Sequence, residues 1–193
     1  MTVKRRPGRR PGSADTRGEI LSAARKVFAE KGFDKATVRG IAREAKVDPA
    51  LVHHYFDTKE GIFAAALQLP ITPDVVIPTL LDGPREELGR RLVTLMLTVT
   101  ATPETREPMI ALFRSAMTNE QAVQMFREFV TNAMLFRVAD ELQVPRLRIE
   151  AAFAQMFGVL MARYVLKLEP MASADPEELV DLLAPTIQRY FTG

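Results

Sequence analysis

Two helix-start signals stand close together near the front of the chain, at Thr37 and at Asp48-Pro49. Thr37 is an N-cap residue type, followed by Val38, Ile41, Ala42 and Ala45 on one helical face, which predicts a helix over 37–45. Asp48 caps a second helix with proline at its first position, running to about Phe56. Only Lys46-Val47 separates the two. Ahead of them, Thr16-x-x-Glu19 fits a capping box, Ile20, Ala24, Val27 and Phe28 recur at helical spacing, and Lys31-Gly32 supplies a cationic end and a stop. A longer helix followed by two short ones is the helix-turn-helix pattern, although short paired helices also occur in ordinary bundles. Asp57 or Thr58 then caps a further helix, reaching about Leu69 before Pro70.

Beyond residue 70 the pattern stays helical. Pro84, Thr102-Pro103, Thr118-x-x-Gln121, Pro145 and Asp175-Pro176-x-Glu178 mark helix starts, and no alternating strand pattern or internal repeat competes. The stretch 147–168 is apolar nearly all round, as in a helix buried on several sides, which in a chain of this size points to a partner subunit. A last amphipathic helix fits 176–191 through Leu179, Leu182, Leu183, Ile187, Tyr190 and Phe191. The expected fold is all-α, with a three-helix domain at 14–60 and a larger helical domain at 61–193.

Charge is unevenly spread. Residues 1–60 carry 14 Lys and Arg against 8 Asp and Glu, whereas the remainder carries 12 against 16. A basic front on an acidic body suggests that the front meets a polyanion, the plain alternative being a basic tail that merely solvates. The segment 1–13, with Lys4, Arg5, Arg6, Arg9 and Arg10 among prolines and glycines, reads as a flexible basic arm. It can lie along a minor groove or simply raise non-specific affinity. The start has no apolar run behind its basic residues, and the longest uncharged apolar run, 151–162, is shorter than the roughly 20 residues a bilayer needs. A cytoplasmic protein without a membrane partner is expected. With no cysteine, disulfides, thiolate metal sites and a cysteine nucleophile are excluded.

The only two histidines, His53 and His54, are adjacent. On a helix they point about 100° apart, so they do not readily share a metal, and no third histidine completes a site. No nucleophile-elbow motif accompanies them, so neither catalytic residues nor a cofactor are expected. Val52 and Phe56, four residues apart, would pack inward and leave Pro49, Ala50, His53 and His54 facing out. Small residues let a helix backbone approach closely, and imidazoles hydrogen-bond to phosphates or base edges, as a major-groove helix requires. The plain alternative is a pair of solvated surface histidines.

The segment from Thr37 to Glu60, with Ile41-Ala42 and the ending Tyr55-Phe56-Asp57-Thr58-Lys59-Glu60, closely resembles the DNA-binding signature of the tetracycline-repressor (TetR) family. Upstream, Ala24 to Phe33 is similar to that family's first helix. The stretches Arg163 to Leu166, Asp175 to Glu178 and Arg189 to Phe191 resemble, less specifically, a subgroup common in actinobacteria. The resemblance implies a homodimeric regulator, more often a repressor, that binds a palindromic double-stranded DNA operator and responds to a small-molecule effector. It implies that Thr37 bonds a phosphate, Arg39 touches backbone or a base edge, Pro49, Ala50 and His54 face the groove floor, and Tyr55 and Lys59 hold flanking phosphates. His53 stands where the family usually has tyrosine. Its shorter ring, neutral or charged, makes a phosphate contact there absent or pH-dependent.

Central helices at roughly 84–142 would enclose an effector pocket. Met96, Met109, Phe113, Met117, Phe126, Phe129 and Met134 are candidates to line it, although such residues at helical spacing are usually plain core. Arg114, Asn132 and Gln155 could orient a ligand or face water. An effector is expected to be apolar. The alternatives are a regulator controlled by a protein partner or by abundance, and a hydrolase or metal enzyme using the histidines.

Overall fold

The computed structural model describes residues 15–69 and 72–192, with the side chains of 115–118 excepted. The basic arm at 1–13 and the side chain of Met117 therefore lie outside the described residues. Helix and connecting turns account for everything described, without a strand.

The reading head is built from α1 (Thr16–Lys35), α2 (Val38–Ala45), α3 (Pro49–Phe56) and α4 (Lys59–Ala66). The expected capping box at Thr16 gives way to Asp15, which stands at the N-cap one residue earlier and makes no side-chain cap bond. Its backbone carbonyl still accepts from Glu19 N–H at 2.9 Å, so the helix begins on the acceptor it needs. The regular part of α1 stops at Gly32, whose φ of +76° lies in the left-handed region that glycine enters without strain. Thr37 caps α2 by accepting from Gly40 N–H at 3.0 Å, and Asp48 caps α3 by accepting from Ala50 N–H at 2.7 Å. Between them Lys46 adopts a left-handed conformation, and Val47 N–H reaches back to the Ala42 carbonyl at 3.0 Å. That pairing ends α2 and turns the chain sharply into α3.

Ile20, Ala24, Phe28, Ile41, Val52 and Phe63 meet in the head's core, each at most 2% exposed. Phe63 belongs to α4, beyond the boundary expected at residue 60. Truncating the head there would open its core, because the ring sits edge-on to Phe28 at 4.9 Å and to Phe33 at 5.1 Å.

The body follows as α5 (Pro73–Leu81), a 3₁₀ turn at Arg85–Glu87, α6 (Leu88–Val99), α7 (Pro103–Thr118) and α8 (Glu120–Glu128). It continues through a π-helical segment, Phe129–Leu135, into α9 (Phe136–Leu142) and α10 (Arg146–Leu160). A second π-helical turn, Met161–Val165, and then α11 (Pro176–Thr192) close it. The start expected at Thr118 moves to Asn119, whose side-chain carbonyl accepts from both Gln121 and Ala122 N–H. Asparagine is as good a cap as threonine and sits where both orphan donors converge. The start of α5 has the same cap-and-proline signal, Thr72-Pro73, that marks others.

α6 and α11 pack so closely at Gly89 that an added Cβ would lie 2.4 Å from the Ala184 carbonyl oxygen. Gly89 N–H donates to Gln188 Oε1 at 2.7 Å across that contact. Of the last amphipathic helix, Leu179, Leu183, Ile187 and Phe191 are buried, whereas Leu182 is 67% exposed. On or just beyond α10, Leu147, Leu166 and Leu168 are exposed as well. No described helix is long and apolar enough to cross a membrane.

Candidate nucleic-acid interface and apolar cavity

On α3 the side chains divide by helical period. Val52 and Phe56 point into the head's core, while Pro49, Ala50, His53, His54 and Tyr55 are exposed. The two imidazoles do different things. His53 Nδ1 lies 3.1 Å from the Asp57 backbone carbonyl. A carbonyl only accepts, so Nδ1 carries the proton in that contact and Nε2 is the atom turned outward. Neutral, that nitrogen accepts and cannot bond a phosphate oxygen; protonated, it donates. His54 is exposed and lies 5.4 Å from the Tyr55 ring between centroids, the two planes inclined at 66°.

Thr37 is exposed at the start of α2. Its oxygen accepts from Gly40 N–H, so its own proton remains available to a phosphate beside the positive end of the helix. Arg39 is exposed on the same helix, and Arg43, one turn on, stands exposed beside it. The sequence reading passed over Arg43, though its i,i+4 spacing from Arg39 was visible. Lys26 is held by Glu44 at 2.6 Å, so that cation is partly neutralised. The hydrogen bond and charge of each hold Glu44 below and Lys26 above their ordinary ranges.

Lys59 is placed differently from the phosphate contact expected of it. Its ammonium donates to the Phe33 carbonyl at 3.1 Å and the Asp34 carbonyl at 3.4 Å, and it lies 4.3 Å from the centre of the Phe33 ring. The electronegative carbonyls at the end of α1 draw it inward, leaving one of three donors for a phosphate.

A second feature lies in the body. Met96, Met109, Phe113, Phe126, Phe129 and Met134 come together around an apolar cavity of about 130 Å³. α10 contributes as much, through Ile149, Phe153, Met156 and Phe157. Apolarity nearly all round this helix points to a subunit contact, and its inward face lines the cavity besides. Arg114, Asn132 and Gln155 are absent from the lining. Asn132 instead donates to the Asp34 carboxylate at 3.0 Å, in the head.

Asn132 is part of a seam that only the fold assembles. Glu128 accepts from Asp34 N–H at 3.0 Å, and Gln121 donates to the Ala29 carbonyl. That backbone N–H is the main reason Glu128 titrates below the ordinary carboxylate range; desolvation opposes it, and Gln124 and Phe33 N–H each add less than desolvation takes away. Beneath these bonds Phe129 stacks on Phe63 at 4.5 Å and meets Phe33 edge-on at 5.4 Å. One ring thus belongs to the head's core and to the cavity wall.

Known proteins match both parts. The family description "Bacterial regulatory proteins, tetR family" fits residues 20–66, and "Tetracyclin repressor-like, C-terminal domain" fits residues 86–191. The HTH-type transcriptional regulator HbdR of Aromatoleum sp. is 30% identical over 102 residues, covering 52% of this chain and 44% of HbdR. The chain thus spans less than half the length of that relative. The regulator BetI of Agrobacterium fabrum is 28% identical over 173 residues, 86% of this chain and 84% of BetI. A crystal structure of a TetR-family regulator from Streptomyces coelicolor is 34% identical, with a TM-score of 0.50 over 96% of this chain and 99% of that one.

Proposed function

The chain belongs to the tetracycline-repressor family and is a DNA-binding transcriptional regulator rather than an enzyme, and from that premise we propose that it is a homodimeric repressor released from a palindromic operator by a small apolar effector. α3 is the reading helix, with Pro49, Ala50 and His54 toward base edges and His53 and Tyr55 at the rim. Thr37 and Arg39 hold phosphates, joined by Arg43, and the remaining donor of Lys59 is a lesser contact.

The observation that carries effector control is Phe129, which lines the cavity and packs on Phe33 and Phe63 in the head. A molecule that pushes on that ring pushes on the element that orients the reading helices. Such a ligand changes DNA affinity only by its differential affinity for the two arrangements. The exposed Leu147 on α10 and Leu182 on α11 support the dimer, since a partner's matching helices would bury them. Two heads fixed by a two-fold axis call for a near-palindrome, which makes head spacing the controlled variable.

The test is to select bound sequences from a random duplex pool, then measure variants on the selected site at stated salt. His54→Ala should alter which bases are preferred. Arg39→Ala should weaken all sequences alike and lower the salt slope by about one. If both variants bind the selected site as the unmodified protein does, α3 is not the reader.

A further inference from the structure

The proposed effector control leaves the effector's chemistry open, and the cavity narrows it. We propose that the cavity takes a compact, uncharged, hydrocarbon-like molecule about the size of one substituted six-membered ring, and that it excludes carboxylates and cations. This inference rests on the effector reading above and specifies the ligand of that same site.

Three observations carry it. First, every described residue in the wall is Leu, Ile, Val, Ala, Met or Phe, so among the described residues no side chain there offers nitrogen or oxygen to a ligand. The wall is helical almost throughout, with its backbone groups engaged along the helices. A carboxylate or ammonium entering such a site would lose its water without gaining a partner, and even a hydroxyl would be left unpaired. Second, the neighbouring polar groups are largely committed elsewhere, the exception being Arg163 Nε, which is buried without a hydrogen-bond partner but stands outside the wall. Thr100, fully buried, donates to the Met96 carbonyl at 2.7 Å. Arg106 and Arg163 spend guanidinium N–H groups on carbonyls, of Thr100 and Ala101 for the first and of Met171 and Ala174 for the second. Third, size favours a compact guest. At about 130 Å³ the cavity matches the roughly 150 Å³ apolar cavities that admit benzene, and lies well below the ~300–1,000 Å³ of sites for drug-sized ligands. Its rings favour an aromatic guest: Phe113 already meets Phe126 and Phe157 edge-on at 5.6 and 4.7 Å, and a further ring extends that arrangement. The methionines let it adapt to a substituent.

The experiment uses the full chain and five probes: toluene, ethylbenzene, cyclohexane, benzoate and benzylammonium. Binding is read by the rise in melting temperature with ligand concentration, and release by loss of a labelled duplex carrying the selected site. Toluene and ethylbenzene should raise the melting temperature and release DNA, with benzoate and benzylammonium binding at least tenfold more weakly (about 1.4 kcal/mol). Ala152→Leu, which adds carbon into the cavity, should abolish toluene binding. Because that variant could misfold, Met109→Ala provides the opposite check: it enlarges the cavity and should shift preference toward ethylbenzene and larger rings. If benzoate or benzylammonium binds as well as toluene, or Met109→Ala leaves the preference unmoved, the ligand class is wrong while effector control stands. If no probe binds, and none from a broader set including charged compounds releases DNA, effector control itself is wrong and this inference goes with it.

Discussion

Replacing Phe129 with alanine is the most demanding test of the seam between sensor and head. The ring is 2% exposed, stacked on Phe63 and edge-on to Phe33. Truncating a buried phenylalanine costs ~3–5 kcal/mol, the larger values arising where the surroundings cannot close over the space. Here the space would merge with the adjoining cavity of about 130 Å³, so collapse is hindered and a cost near ~4–5 kcal/mol is expected. Of this, the two aromatic pairs supply ~0.5–1.5 kcal/mol each. For a chain of this length the melting temperature should fall by roughly 2–4 °C per kcal/mol, or about 8–20 °C. The assay is urea unfolding at one fixed protein concentration, because subunit association shifts apparent stability. A double-mutant cycle with Phe63→Ala should return a coupling of about 1 kcal/mol. A total cost under ~2 kcal/mol, or a coupling of zero, would refute the claim that this ring ties the cavity wall to the head's core.

Other substitutions probe single contacts. Gly89→Ala should destabilise at the upper end of ~1–3 kcal/mol, because its Cβ would press on the backbone of α11, which cannot rotate away. Gly158→Ala, with nothing within 4 Å of the new methyl, should be neutral or stabilise by up to ~1 kcal/mol, and calorimetry of the pair checks both. Thr37→Ala removes the cap on Gly40 N–H and should cost about 1 kcal/mol in urea unfolding while also weakening DNA binding; an unchanged midpoint would mean the cap is replaced by water. Glu128→Gln tests the clasp through pH. Since Glu128 has its carboxyl below the ordinary range, it binds a proton less readily folded than unfolded, so its contribution is complete above about pH 5 and lost as pH falls through the folded value. The melting temperature of the unmodified protein should drop more steeply between neutral and acid pH than that of the variant, and parallel curves would mean the clasp contributes nothing.

Local chemistry determined most of the reading head from sequence. Thr37, Asp48-Pro49 and Thr58 each mark a helix by a cap that acts within three residues, so the signal survives without any knowledge of the fold. The outward face of α3 followed from the same short-range logic, since Val52 and Phe56 define the buried side and the histidines fall opposite. Where that logic slipped, at Thr16 and Thr118, the N-cap position stood one residue away, at Asp15, which acts through its backbone carbonyl alone, and at Asn119, which acts through its side chain. Tertiary structure decided what depends on distant segments. It drew Lys59 onto carbonyls 25 and 26 residues earlier, joined Asp34 to Glu128 and Asn132, and used α10 as cavity wall as well as exposed face. Periodicity tells which residues leave water, but not which neighbour they meet. Phe129 is the clearest case: its burial could be expected from its type, but its place in the head's core and the cavity wall at once arises only when the chain brings α8 back against α1.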